Sequence, residues 1–455
     1  MDREKNYPTK RYPHFDKALP YKFVESYVTN PVKISKHSFF PLLYYKKDLS
    51  KYKWLPSEYR KGLKRKYREI MYAGHIDGYI YKYYGENLNY RYDQYISERG
   101  FEACVTAYRS PKSSKAGQCN IDFAKEVFDF IVEQKEAYII VGDFKNFFPE
   151  LCHQNLKEKI WKVLGKHIPN DWYSVFRSVT QYCYIKRAAV QKYYDTTTKQ
   201  YFLDKKEFRD FKRKIKEESL KNISDPLFFV NKSGKGIPQG TAISGVLANI
   251  YMIDMDEEIS LLASRYSGLY RRYSDDFILV IPIKDDLGVN INDFMELIKM
   301  ICKDKVVLSD EKTHVYHYRD SHFYPSDKEC CCSIDYLGFL FDGDSVLVRQ
   351  KCIYKFARTS RQMIESACQM TRRQRVPYLK FKGSLLRYIT ETPYRKKKNK
   401  RKRVSNFVTY AIRAEQMLSK GSRYQVKVLS QIQYLRKNVQ HSYDLTVHAI
   451  KGRQS

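Results

Sequence analysis

The stretch Leu269-Tyr270-Arg271-Arg272-Tyr273-Ser274-Asp275-Asp276-Phe277-Ile278-Leu279-Val280-Ile281 decides how the rest of the chain is read. A polar strand halts at two adjacent carboxylates and resumes as an unbroken apolar one. That pattern predicts a tight hairpin with Asp275 and Asp276 at its tip. Neighbouring carboxylates repel one another and are costly to hold together unless a cation lies between them. Mg2+, a hard ion that takes oxygen ligands and leaves room for phosphate, suits such a pair. Taken alone, two Asp residues in a turn would read as an ordinary solvated turn. Their surroundings change that reading.

Upstream, Ala137-Tyr138-Ile139-Ile140-Val141-Gly142 is an apolar run that predicts a buried strand ending on Asp143. If that strand lies beside the 277–281 strand, three carboxylates converge at one sheet edge and can hold two Mg2+ ions. Two such ions stabilise the attacking 3'-oxygen and the leaving pyrophosphate of an in-line nucleotidyl transfer. Between the two strands lies Gly234-Lys235-Gly236-Ile237-Pro238-Gln239-Gly240, a glycine-punctuated loop, and then a helix lined by Ile243, Leu247, Ile250 and Tyr251.

Further elements follow from periodicity and capping signals. A helix over 120–131 is expected, with Ile121, Ala124, Phe128 and Ile131 on one face and Asn120 or Asp122 as cap. Pro149 is expected to open a helix reaching about Leu164, and 291–303 reads as another. Residues 105–109 read as a short strand, Lys312 as the start of one, and 334–343 as a hairpin. Prolines break the first 56 residues into short pieces, after which 58–71 reads as helical. Residues 191–222 read as a charged surface insertion with an exposed helix over 205–218. The last hundred residues look helical and basic; eight of the nine residues from 395 to 403 are Lys or Arg, a loop or phosphate-binding arm. No internal repeat is evident.

At 455 residues the chain should divide into two or three lobes. A formal charge of +32, from 83 Lys+Arg against 51 Asp+Glu, points to a polyanionic partner, nucleic acid first. Aromatic residues make up 15%, including 41 Tyr, and rings among positive charges can stack on bases. Ten Cys without extracellular spacing, no leading apolar signal segment and no apolar run long enough to cross a bilayer predict a reducing, cytoplasmic setting without a membrane partner.

Asp143-Phe144-Lys145-Asn146-Phe147-Phe148, Gly236-Ile237-Pro238-Gln239-Gly240, Tyr273-Ser274-Asp275-Asp276, Lys312 and Tyr336-Leu337-Gly338-Phe339 occur in the order and rough spacing of reverse transcriptases, and the chain resembles that family over about residues 100–345. The resemblance implies an α+β right-hand polymerase fold, with an antiparallel palm sheet and a helical thumb, and Mg2+-dependent DNA synthesis from dNTPs. It implies an N-terminal region with fingers over 1–135, a palm with fingers segments and the charged insertion over 136–345, and a basic helical thumb or RNA-binding region over 346–455. It assigns the metals to Asp143, Asp275 and Asp276, with the Phe144 carbonyl as a further ligand. Phe148, five places after the first aspartate, matches the ring that collides with a ribose 2'-hydroxyl. Gln239 would line the pocket for the incoming nucleotide, Arg109 would grip its triphosphate with Lys112 or Lys115 as substitutes, and Lys312 would lie near the pyrophosphate. Tyr336, Leu337 and Gly338 resemble the primer grip. Arg395, Lys396, Lys397, Lys398, Lys400, Arg401, Lys402 and Arg403 would hold RNA backbone.

Within the family the chain looks most like the bacterial defence-associated and abortive-infection enzymes, relatives of retron and group II intron enzymes. It carries Asn120-Ile121-Asp122-Phe123-Ala124 where retron enzymes have Asn-Ala-x-x-His, and no Val-Thr-Gly. The resemblance implies an associated non-coding RNA as template or scaffold and a DNA product, in antiphage defence; oligomeric state is left open. Rival readings are a template-independent or protein-primed polymerase, using a Tyr hydroxyl as acceptor, a retron-type reverse transcriptase, and a catalytically idle RNA-binding scaffold. His314, His317, His322, Cys330, Cys331 and Cys332 cluster in sequence, but the cysteines are consecutive, not spaced as zinc ligands are, and zinc is not expected.

Overall fold

In the computed structural model the residues described are 6–49, 51–55, 60–109, 117–165, 167–193, 203–221, 226–284, 290–303, 305–326, 330–376, 378–391, 394–397 and 400–451. At the centre is a five-stranded sheet. Its order is His322–Pro325, His314–Arg319, Glu136–Asp143, Asp276–Pro282 and Leu269–Tyr273, and every pairing is antiparallel. The two middle strands are apolar on both faces because both faces are covered. Ile140, Leu279 and Ile281 join a core with the helices Ser244–Tyr251, Ile253–Arg265 and Ile291–Cys302. Ile139, Ile278 and Val280 face the opposite way, into a second core with the Asn120–Glu133 helix. Fully burying each such side chain contributes about 1.5–3 kcal/mol. At Gly142 the strands leave no room for more: a Cβ there would lie 2.3 Å from the Phe277 ring.

Flanking this sheet is a second, four-stranded one, ordered Tyr67–Tyr72, Leu42–Asp48, Cys183–Lys186 and Phe228–Val230. The helix expected over 58–71 is therefore corrected. Among its described residues, Arg60–Lys64 and Tyr67–Tyr72 are strands, the latter paired with Leu42–Asp48 in the register Tyr44↔Met71. Tyr67, Ile70 and Tyr72 favour strands, and pairing with a partner distant in sequence overrides local helix preference. The expected surface helix of the charged insertion is the Lys205–Lys221 helix, but it is not simply exposed. Phe211 and Ile215 are buried against Phe15, Leu43, Ile185 and Val190, so this helix roofs a small core of its own.

Residues 105–109 do not form the strand expected of them; Val105 makes one isolated bridge, to Arg272. Pro149 lies inside the four-residue Phe147–Glu150 helix, and the longer helix begins at His153 and ends at Leu164. The 334–343 hairpin is present as Ile334–Tyr336 and Phe339–Phe341, extended by Ser345–Val348 and, in parallel, by Gln425–Val426. The C-terminal part is helical, through Gln350–Arg373, Lys382–Ile389, Phe407–Leu418 and Val428–Lys451, with Ile364, Leu385 and Val439 in a core shared by the first, second and fourth of these. The basic arm forms the strand pair Tyr394–Lys397 and Lys400–Arg403; Lys398 lies outside the described residues. Among the described residues no helix is long and apolar enough to cross a membrane.

Candidate active site

The register of the central sheet places Asp143 directly opposite Asp276, which in turn faces Tyr273 across the tight turn of Ser274 and Asp275. Ser274 adopts φ 63°, a left-handed conformation that closes the turn. The Phe144 amide donates to the Asp275 carbonyl at 3.1 Å, fastening the end of one strand to the turn of the next. Burial first, and then the charges of Asp275 and Asp143, push the Asp276 carboxyl up to about 7, and the two carboxyls of Asp143 and Asp276 share a hydrogen bond. Lys312 does not open a strand; it lies in the turn ahead of His314–Arg319, and its ammonium donates to Asp143 Oδ1 at 2.5 Å.

The structure thus sets Asp143 opposite Asp276, with Asp275 in the adjoining turn and the Lys312 ammonium on Asp143. Among the described residues no group of three or more His, Cys, Asp or Glu side chains is gathered as a metal-ion ligand set. The donor chemistry nonetheless fits a hard divalent cation: the groups are carboxylate oxygens set close together, with a lysine supplying compensating charge.

Beside the aspartates lies a cavity of about 810 Å³, lined by Asp275, Ser274, Phe148, Gln239, Tyr108 and Arg68 among others. Phe148 is 9% exposed, and its carbonyl accepts from the Ile237 amide at 3.1 Å, so the ring and the 236–240 loop are held as one wall. The loop is also tied to the flanking sheet through the Met71 amide, which donates to the Gln239 carbonyl at 2.9 Å. Gly240 has φ 121°, and a Cβ there would come within 2.4 Å of the Met71 carbonyl oxygen, so only glycine permits this approach.

Arg109 is not brought to the cavity, contrary to expectation. Its Nε donates to Asp93 at 2.7 Å and its NH1 to the carbonyls of Val105, at 2.9 Å, and Glu102. A carboxylate on the helix His75–Glu98 has captured it, and sequence proximity to the motif carried no sign of that partner. Lys112 and Lys115 lie outside the described residues. The cations that do line the cavity are Arg68, on a strand misread as helix, and Lys82. Lys82 carried no signal of this role: with Gly85, Glu86 and Asn89 it shares one polar helix face at i, i+3, i+4 and i+7, which reads as solvated. Lys82 also reaches the Asn6 carbonyl and sits 4.5 Å above the Tyr7 ring.

Beneath the turn is a network that sequence reasoning missed. Arg272 and Asp256 are both fully buried, and the guanidinium donates from Nε at 2.7 Å and NH2 at 2.6 Å to the two carboxylate oxygens. Burial alone would lower the Arg272 pKa, but the adjoining Asp256 carboxylate outweighs it and holds it above its ordinary value. NH1 donates to the Ser274 carbonyl at 2.9 Å, so the ion pair grips the turn itself. Tyr270 donates to Asp256 at 2.9 Å. The Arg272 carbonyl accepts from both the amide and hydroxyl of Thr106 at 2.9 Å, and Asn249 donates to the Ala107 carbonyl at 2.8 Å. Two residues on, Tyr108 places its hydroxyl 3.1 Å from Ser274 Oγ.

Tyr336, Leu337 and Gly338 form the tip of their hairpin, with Leu337 at φ 46° and Gly338 at φ 103°. Tyr336 is buried, which pushes its hydroxyl pKa up. Asn120 Nδ2 donates to the Leu337 carbonyl at 3.0 Å and to the Tyr410 hydroxyl at 2.8 Å, tying this tip to the Phe407–Leu418 helix. The cap of its own helix falls instead on Cys119 and Asp122. Of the histidine and cysteine cluster, His317 faces Glu136 at 2.5 Å and His322 faces the Asp320 carbonyl at 2.6 Å, while Cys330 and Cys331 are exposed.

No curated protein matches the chain. Among solved structures it is similar to apo telomerase from Candida tropicalis truncated from its C-terminal domain, at 13% identity and a TM-score of 0.38, over 73% of this chain and 61% of that one. It is also similar to telomerase from Candida albicans in complex with a TWJ fragment of telomeric RNA, at 13% identity and a TM-score of 0.38, over 95% of this chain and 65% of that one. The chain thus spans less than two thirds of the length of these two proteins. Residues 104–341, more than half of the chain, match the family described as reverse transcriptase (RNA-dependent DNA polymerase). Within that span fall the Asp143 strand end, the Gln239 loop and the double-aspartate turn, and the chain accordingly belongs to the reverse transcriptase family, with its right-hand polymerase fold.

Proposed function

We propose that the protein is an RNA-templated DNA polymerase that extends a primer with dNTPs at the Asp143–Asp276 edge. The observation that carries this reading is the register of Asp143 against Asp276, with the latter's carboxyl raised to about 7, beside a cavity of nucleotide size. Asp143, Asp275 and Asp276, with the Phe144 carbonyl, would hold Mg2+. When bound, Mg2+ supplies positive charge for the attacking 3'-oxygen and the departing pyrophosphate. The chain's own residues do the rest. Phe148 closes the cavity against a 2'-hydroxyl, Gln239 lines the base pair, and Arg68 and Lys82 face the triphosphate. Lys312, released from Asp143, meets the pyrophosphate. Tyr336, Leu337 and Gly338 seat the primer, and the 395–403 arm holds RNA backbone.

In this reading 1–135 comprises the N-terminal region and fingers, 136–345 the palm, and 346–455 the thumb. The net charge of +32 supports an RNA partner. We take that partner to be an associated non-coding RNA and the setting to be cytoplasmic antiphage defence. The test is to incubate the protein with Mg2+, labelled dNTPs and its copurifying RNA. Asp275→Ala should abolish synthesis while RNA binding survives; loss of both would make the aspartates structural and sink the assignment. One observation favours a second reading, in which a tyrosine hydroxyl is the acceptor. Tyr108 is 52% exposed in the cavity, with its hydroxyl beside Ser274. DNA that stays with the protein until protease is added, and is absent in Tyr108→Phe, would support it.

A further inference from the structure

A second concavity, of about 800 Å³, is bordered by Gly234, at the start of the loop that carries Gln239. Its walls come from the 35–40 segment, the Asn170–Thr180 helix, and the 230–234 segment leading into that loop. Lys36, Arg177 and Lys232 line it, and none of its lining residues is Asp or Glu. Elsewhere on the surface cations are neutralised locally: Lys125 pairs with Asp129, Lys299 with Glu296 and Lys305 with Glu258. Among the described residues, Lys36, Arg177 and Lys232 have no carboxylate partner; Arg177 gives only its Nε, to Gln181 at 3.0 Å. Three like charges held around one hollow repel each other unless an anion enters it.

The hollow is rigid where it meets the active-site loop. Asn231 Nδ2 donates to the carbonyls of Thr180 and Lys235, at 2.9 and 2.8 Å. His153 Nε2 donates to the Gly236 carbonyl at 2.8 Å, and burial lowers the ring's pKa. The other histidine lining the hollow, His37, is not available to a ligand: its two nitrogens face Tyr27 at 2.7 Å and Asp77 at 2.8 Å. Recognition therefore falls to the three cations, with Tyr182 as a partly buried ring among them.

We propose that this hollow is a binding groove for the phosphates of a single RNA strand, separate from the primer-seating hairpin and from the basic arm. The inference rests on the polymerase reading only for the identity of the strand as RNA. Its groove is open rather than enclosed by carboxylates, and its cations are spread over three chain segments, which suits successive phosphates more than one.

The test is binding of a labelled, unstructured single-stranded RNA to the full chain across a salt series. The Lys36→Ala/Arg177→Ala/Lys232→Ala variant should bind more weakly and show a salt slope smaller by about 2, from three lost contacts at about 0.7 each. A control variant with Lys125, Lys299 and Lys305 changed to Ala should leave the slope near wild type. An unchanged slope in the first variant, or equal losses in both, would overturn the groove. AMP that displaces RNA from wild type as effectively as a second RNA strand would overturn the strand assignment in favour of a free nucleotide. Primer extension measured in parallel separates the two claims: if wild type incorporates no dNTP, the polymerase reading fails, and the slope still decides the groove.

Discussion

Replacing Asp276 by Asn should make the metal-free protein more stable at alkaline pH while destroying its activity. Asp276 lies opposite Asp143 and beside Asp275, and burial together with those charges raises its carboxyl to about 7. A rise of about three pH units corresponds nominally to about 4 kcal/mol. Although its carboxyl is partly desolvated against Asp143 and Asp275, the residue as a whole remains open to solvent, so screening reduces this to about 1–2 kcal/mol. Because the folded-state value lies above the unfolded one, of about 4, the protonated carboxyl contributes its stability fully below pH ~4. That contribution fades as pH rises and is lost above pH ~7, where the ionised group is crowded by its neighbours. Asn keeps the shape without the charge. Thermal melts in EDTA at pH 5 to 9 should show the wild type falling relative to the variant, by roughly 1–3 °C at the alkaline end. Added Mg2+ should raise the wild type and leave the variant nearly unmoved, while dNTP incorporation by the variant drops at least about a hundredfold, or about 3 kcal/mol. Identical pH profiles for the two proteins in EDTA, or a variant that melts lower at pH 8, would refute the crowded-carboxylate argument.

Phe148→Ala should raise ribonucleotide incorporation by roughly tenfold or more, or about 1.4 kcal/mol of lost discrimination, in single-nucleotide kinetics; an unchanged dNTP preference would remove the ring from that role. Asp256→Asn should destabilise the fold by about 3–5 kcal/mol, because the fully buried Arg272 guanidinium loses its counter-charge. Tyr270→Phe, which deletes one hydrogen bond to the same carboxylate, should cost only about 1 kcal/mol, and paired melts compare the two. Asn120→Ala should raise the KM for primer severalfold with a smaller change in kcat, since it frees the Leu337 carbonyl at the hairpin tip; an effect on stability alone would confine Asn120 to packing.

The central sheet was legible because its two middle strands are apolar on both faces and each meets an aspartate at its end, a pattern that survives without knowledge of partners. The strand Tyr67–Tyr72 was not, since Arg68, Glu69 and Met71 suit a helix as readily as Tyr67, Ile70 and Tyr72 suit a strand, and pairing with Leu42–Asp48 decides between them. Arg109 shows the same limit at the level of one side chain: residue type and position suited a phosphate, and Asp93, sixteen residues earlier, took the guanidinium instead. The Arg272–Asp256 pair had no local signature either. An Arg inside a Tyr-rich strand reads as solvent-facing until the preceding helix, Ile253–Arg265, folds back to cover it. What sequence carried well was chemistry concentrated in contiguous motifs, and what it lost was chemistry assembled across elements.

The Arg272 hub also has a mechanical side. One residue holds Thr106 through its carbonyl and Ser274 through its guanidinium, while Asn249 secures Ala107. The segment bearing Tyr108 and the aspartate turn are therefore riveted into a single rigid piece. Whatever rearrangement admits a nucleotide must flex the polypeptide outside 105–107, leaving the floor of the pocket stationary while its walls move.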